Sequence, residues 1–106
     1  METVQVWRDG TLIHLTPTEF RILAALALRH GRVVSPVELV RSARGYEASE
    51  AEAWRIIKVH VRRLRRKIEH RPDRPTFIIT VRGAGYRYGV EMVTFYPLGF
   101  IYLGQG

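Results

Sequence analysis

Residues 55–67 read R-I-I-K-V-H-V-R-R-L-R-R-K, and the charge and spacing of this stretch decide the fold. It carries Arg55, Lys58, Arg62, Arg63, Arg65, Arg66 and Lys67 with no acidic residue among them, between Glu52 and Glu69. The whole chain has 17 Lys and Arg against 10 Asp and Glu, a formal charge of +7. Taking those seven cations away leaves 17 − 7 = 10 basic against 10 acidic side chains, so everything outside the stretch is neutral on balance. At about 100° per residue, Trp54, Ile57, Val61, Leu64 and Ile68 fall on one stripe, the spacing of a helix laid on a core. Val59 points away from that stripe, flanked by Arg55, Ile56, Arg62, Arg63 and Arg66. An aliphatic residue inside a cationic outward face suits a DNA major groove, where guanidinium groups meet phosphates and guanine edges and a small apolar group meets a thymine methyl. The helix is expected over about residues 51–70.

The rest of the composition sets bounds. A chain of 106 residues makes one domain, able to bury roughly 60–70% of its extended surface without staples. The absence of cysteine excludes a disulfide scaffold and thiolate metal sites. The polar start M-E-T-V-Q-V-W-R lacks the apolar core of a signal peptide. No run reaches the roughly 18 apolar residues that cross a bilayer. A cytoplasmic protein without a membrane partner is expected, and a pI near 10.6 makes a polyanion its natural ligand.

Outward from the basic helix, the elements follow in order. Val4, Val6, Leu12, Ile13 and Leu15 flank Asp9-Gly10, a β-hairpin over residues 3–15 with a type I′ or related turn. Thr16-Pro17-Thr18-Glu19 is a capping box with proline at the first helical position. Phe20, Leu23, Ala24 and Ala27, widened by Ile22 and Leu26, continue that helix until Gly31. Ser35-Pro36-Val37-Glu38 repeats the device for a short helix ending near Gly45. Ser49 or Glu50 then caps the basic helix after an acidic loop. Beyond the prolines at 72 and 75, Phe77, Ile79 and Val81 alternate with Ile78, Thr80 and Arg82. Gly83-Ala84-Gly85 turns this strand back through Tyr86, Tyr88 and Val90, with Arg82 at the tip, suited to a minor groove. Two short helices followed by a basic third one make a helix-turn-helix domain. The fold class is α+β: a winged helix-turn-helix of three helices, a small N-terminal antiparallel sheet and a C-terminal β-hairpin wing. The domain covers residues 1–91. The apolar tail, residues 92–106, packs on the first hairpin, adds a strand to an exposed edge, or mediates self-association, with no choice among these from sequence.

Four motifs carry a resemblance. L-T-P-T-E-F-R-I-L at 15–23, G-R-V-V-S-P-V-E-L at 31–39, V-H-V-R-R-L-R-R-K-I at 59–68 and I-T-V-R-G-A-G-Y-R-Y at 79–88 resemble the C-terminal effector domain of OmpR/PhoB-type response regulators. The resemblance implies a transcriptional regulator that binds promoter DNA sequence-specifically, sits head-to-tail on direct repeats and contacts RNA polymerase through the loop at 45–52. It implies base contacts from Val59 and Arg63, a minor-groove contact from Arg82, and backbone contacts from His60, Arg62, Arg65 and Thr80. The helical wheel places Arg55 and Arg66 on the same face as further backbone contacts. It sets Arg65 beside the buried stripe, where reaching a phosphate requires snorkelling, and Tyr86 is read as wing core. The chain departs from the family at Lys58, usually acidic, at Arg44, often aromatic, and in its longer acidic loop. The resemblance implies a receiver domain and one or two further strands before this sheet, so the sequence as given is expected to be either an excised fragment or a stand-alone regulator controlled in another way. The tail is a candidate replacement for one of those strands.

Catalysis and cofactors find no support. His14, His30, His60 and His70 lack partners at metal-ligand spacing, Ser35 and Ser49 lack a paired base, and Gly83-Ala84-Gly85 is followed by Tyr88 instead of the third glycine of a dinucleotide fingerprint. The competing class is a module for RNA, an acidic partner or an anionic membrane. Against it stands the apolar stripe of the basic helix, already needed for the core.

Overall fold

The computed structural model describes residues 5–29, 31–89, 94–96 and 100–103. Val4, His30 and Val90, and residues 91–93, 97–99 and 104–106 of the tail, lie outside the described ones. The elements run β1 (Gln5–Arg8), β2 (Thr11–Ile13), α1 (Pro17–Leu28), α2 (Pro36–Arg44), α3 (Glu50–Ile68), β3 (Ile78–Val81), β4 (Gly85–Tyr88), β5 (Thr94–Tyr96) and β6 (Phe100–Leu103).

Each helix begins where a hydroxyl residue can accept its free amides. Thr16 Oγ1 accepts the Glu19 N–H at 3.2 Å, and the Thr16 N–H donates to Glu19 Oε1 at 2.9 Å, so the expected box is complete. Ser35 Oγ accepts from Glu38 N, also at 3.2 Å, but Glu38 makes no return bond among the described residues. Ser49 does the same for Glu52 N, which starts α3 at Glu50. Gly45 closes α2 in the left-handed conformation with φ 77°.

The hairpin β1–β2 pairs Val6 with Ile13 and Arg8 with Thr11. Asp9 and Gly10 have φ of 49° and 81°, the two positive values a type I′ turn requires. The tail joins this hairpin: β6 lies parallel to β1, with Val6 opposite Ile101 and Arg8 opposite Leu103, and β5 pairs antiparallel with β6. The strand order is β2-β1-β6-β5, and Leu103 is buried in the core.

The three helices close over Leu23, Leu26, Leu39, Ile57, Leu64 and Ile78, each fully buried. On α3, Ala53, Ile57, Val61, Leu64 and Ile68 form the buried stripe. Trp54, expected on that stripe, is half-buried beside it, its ring 5.8 Å from that of Tyr86 and tilted. Ala53 takes the inner position and is fully buried.

The wing is the β3–β4 hairpin, with Thr80 opposite Tyr86. The short extended connection after α1 supplies a third, one-residue partner: Val34 and Tyr86 exchange both backbone bonds, at 2.8 and 3.0 Å. That close approach needs Gly85, since a Cβ there would stand 2.1 Å from the Val34 carbonyl oxygen. A turn closed by Ala84 N–H donating to Val81 O at 2.9 Å holds Arg82 outward at the tip.

Candidate nucleic-acid interface

The outward face of α3 keeps its charge. Arg55, Arg62, Arg63 and Arg66 are exposed, and no carboxylate among the described residues pairs with any of them. Val59 lies among them at 47% exposure. Between α3 and the wing runs a groove of about 810 Å³ whose lining includes Arg55, Val59, Arg62, Arg66 and Thr80. The carboxylate on its wall, Asp73, is ion-paired with Arg71 at 3.2 Å. Arg82 projects from the wing tip, exposed.

His60 sits half-buried at the margin of this face. Burial, then the charges of Arg44 and Arg63, push its imidazole below the ordinary value of 6.5 despite the opposing pull of Glu19. The free domain therefore carries it largely neutral near pH 7.

Two cations of the stretch turn inward. Lys67 donates to Glu19 Oε1 at 2.6 Å, on a carboxylate only 2% exposed. Burial alone would raise the Glu19 carboxyl, but Lys67 and the Thr16 amide outweigh it and hold the group below its ordinary value. Arg65 lies half-buried, as its place beside the stripe implies. Its guanidinium donates through Nη2 and Nε to Ile78 O at 2.8 and 3.3 Å, and through Nη2 to Thr80 Oγ1 at 2.9 Å, with its carbon 5.8 Å from the Tyr86 ring centroid. Tyr86 is buried in the wing, and the pKa of its hydroxyl is raised by that burial.

Sequence reasoning missed the far end of α3. Glu69 is 3% exposed and accepts the amides of Thr76, Phe77 and Ile78. Arg8 of β1 donates to the carbonyls of Ile68 and Glu69 at 2.9 and 3.3 Å, satisfying the last turn of the helix. His70 meets Asp9 of the hairpin turn at 2.5 Å. The available signal was the sign of Glu69: an acidic residue at the negative end of a helix is unfavourable unless something else holds it.

In the loop before α3, Tyr46 is 40% exposed and Glu47 accepts from Arg41 Nη2 at 3.0 Å. Among the described residues no group of three or more His, Asp or Glu could hold a metal, and no helix is long and apolar enough to cross a membrane.

Comparison with known proteins agrees with this geometry. The family described as "Transcriptional regulatory protein, C terminal" matches residues 10–88. The DNA-binding dual master transcriptional regulator RpaA of Synechocystis sp. is 48% identical over 77 residues, 73% of this chain and 31% of RpaA. The DNA-binding response regulator MtrA of Mycolicibacterium paratuberculosis is 42% identical over 85 residues, 80% of this chain and 37% of MtrA. The chain thus spans about a third of the length of these relatives. Among solved structures, the RstA DNA-binding domain of Klebsiella pneumoniae, in complex with the RstA box, superposes with TM-score 0.68 at 29% identity, over 76% of this chain and 77% of that one. The DNA-binding domain of CpxR from E. coli gives TM-score 0.66 at 34% identity, over 79% and 80%. With the basic third helix and the wing both inside the matched stretch, the chain belongs to the transcriptional regulatory protein C-terminal family, the winged-helix effector domain of OmpR/PhoB-type response regulators.

Proposed function

We propose that this domain binds double-stranded DNA sequence-specifically as the DNA-reading part of a transcriptional regulator, with α3 in the major groove and the wing in the adjacent minor groove. One observation carries the reading: four arginines without carboxylate partners among the described residues surround an exposed valine on the face of α3 opposite the core. An exposed valine among unpaired arginines is an odd choice for a solvated surface, and each part of this face has a use in a groove. Val59 and Arg63 meet base edges. Arg55, His60, Arg62 and Arg66 meet phosphates and set the register. Arg65 and Thr80 already share a hydrogen bond, so a phosphate there meets the pair together. Arg82 enters the minor groove, whose negative potential favours guanidinium.

Two further partners belong to the same reading. The loop expected at 45–52, which the structure divides into a loop up to Ser49 and the first turn of α3, carries exposed Tyr46 and Glu50 and offers RNA polymerase an acidic and aromatic surface, and a second copy binds alongside on direct repeats. A promoter ligand also implies a cytoplasmic protein.

In-vitro selection from random duplex DNA tests the reading, with Arg63→Ala and Arg82→Ala run in parallel. Wild type should enrich one motif. Arg63→Ala should relax preference at one or two base pairs, a loss of about 1–3 kcal/mol each, and Arg82→Ala should lose preference for A·T in the flank. Both variants selecting the wild-type site unchanged would overturn the role assignments. Equal affinity for single-stranded RNA would overturn the reading itself.

A further inference from the structure

Beside the Trp54–Tyr86 ring contact, the end of α3 meets the wing through two polar side chains one helical turn apart. Glu69 caps α3 with extended backbone, φ −80° and ψ 141°, so its side chain leaves the helix toward the wing. Its Oε1 accepts from Thr76 N at 2.8 Å, and Phe77 N donates to both oxygens at 3.1 Å. Its Oε2 also accepts from Ile78 N at 2.9 Å. Arg65, four residues earlier, takes the other end of the same residue through the Ile78 carbonyl and then reaches Thr80 Oγ1. The amide and the carbonyl of Ile78 are therefore both held by α3. This matters because, among the described residues, β3 pairs only with β4 and is the outer strand of the wing, and an outer strand otherwise leaves its free backbone groups to solvent. A carboxylate at the negative end of a helix is unfavourable by its charge alone, and here the gain is the grip on the strand.

We propose that Glu69 and Arg65 form a clasp that fixes the angle of the wing on the reading helix, and that the minor-groove contact of Arg82 depends on it. The clasp rests on the DNA-reading proposal above. Glu69 is a positioning residue: it is buried and acts through β3. Glutamine has the same size, but it keeps one acceptor oxygen and turns an NH2 toward a backbone N–H. Glu69→Gln therefore opens half of the clasp while filling the same space.

A double-mutant cycle on affinity for the selected duplex tests this. In the wild-type background Arg82→Ala should weaken binding about tenfold, and in the Glu69→Gln background only about twofold or less, because a displaced tip no longer reaches the groove in full. The penalty of Arg63→Ala, whose helix is unmoved, should be the same in both backgrounds. Simple destabilisation would move neither penalty selectively. Arg65→Lys retains the charge but not the planar fork and carries the same cycle at a half-exposed position, so the result is readable even where Glu69→Gln lowers the folded fraction. An Arg82→Ala penalty of equal factor in the wild-type and altered backgrounds overturns the clasp alone. A wild-type protein without sequence preference overturns the DNA reading and the role of the clasp with it.

Discussion

His60 shows how one side chain ties the interface to pH. Its imidazole is pushed down from 6.5 by burial and by the charges of Arg44 and Arg63, so the free protein disfavours the charged form. A phosphate placed beside it favours that form, and binding then takes up a proton. Affinity for the selected duplex should rise as pH falls from about 8 to about 6, and His60→Gln should flatten that rise. An unchanged pH profile in the variant would remove His60 from the interface. Gly85 governs the wing instead. Its φ of 150° and the 2.1 Å approach of the Val34 oxygen leave no place for a Cβ. Gly85→Ala should cost about 3 kcal/mol in a urea unfolding series, and a loss below about 1 kcal/mol would show that β4 can shift away from Val34 without strain. Single residues were legible in the sequence when their role is local. Val59 and the tip of Arg82 follow from periodicity and a glycine turn. Glu69 and the inward reach of Arg65 do not, since their partners depend on how β3 lies against α3.

At the scale of elements, the helices begin where hydroxyl residues announce them, because a cap is satisfied within three or four residues. Their inner faces were legible in part: Ile22, Leu23, Leu26, Ala27, Leu39 and Val40 are buried as expected, but Phe20, Ala24 and Val37 are half-buried, Ala25 and Ala43 lie inside, and in the first turn of α3 Ala53 and Trp54 exchange the inner and flanking positions. What joins element to element was not. The bond from Lys67 to Glu19 links α3 to the start of α1 across 48 positions. No local pattern encodes such a distance. Its contribution has a definite pH sign. The Glu19 carboxyl is held below its ordinary value of 4.5 in the folded protein, so the stability it confers is complete above that value and is lost as pH falls through the folded one. Glu19→Gln should therefore cost about 1–2 kcal/mol at neutral pH, a charge-assisted bond discounted for the partial exposure of Lys67. The difference from wild type should close in acid. A gap that persists in acid would assign the loss to packing.

For the whole molecule, net charge and its confinement to one helix named the kind of ligand before any coordinates. The sheet was only half legible. The N-terminal hairpin follows from Asp9-Gly10, but the parallel pairing of β6 with β1 brings Leu103 opposite Arg8, and alternation cannot express a partner so far along the chain. The resulting body leaves one face of α3 free and uses the others to hold it, through Arg8 at its end, Glu69 and Arg65 toward the wing, and Lys67 toward α1. The salt dependence of binding measures that free face directly. Affinity of wild type and of the Arg55→Ala, Arg62→Ala, Arg66→Ala triple variant for the selected duplex is taken across a salt series. Each phosphate that the variant leaves unneutralised should reduce the log–log slope by about 0.9, about 2.7 for all three. The same slope for both proteins would contradict the placement of this helix face against DNA.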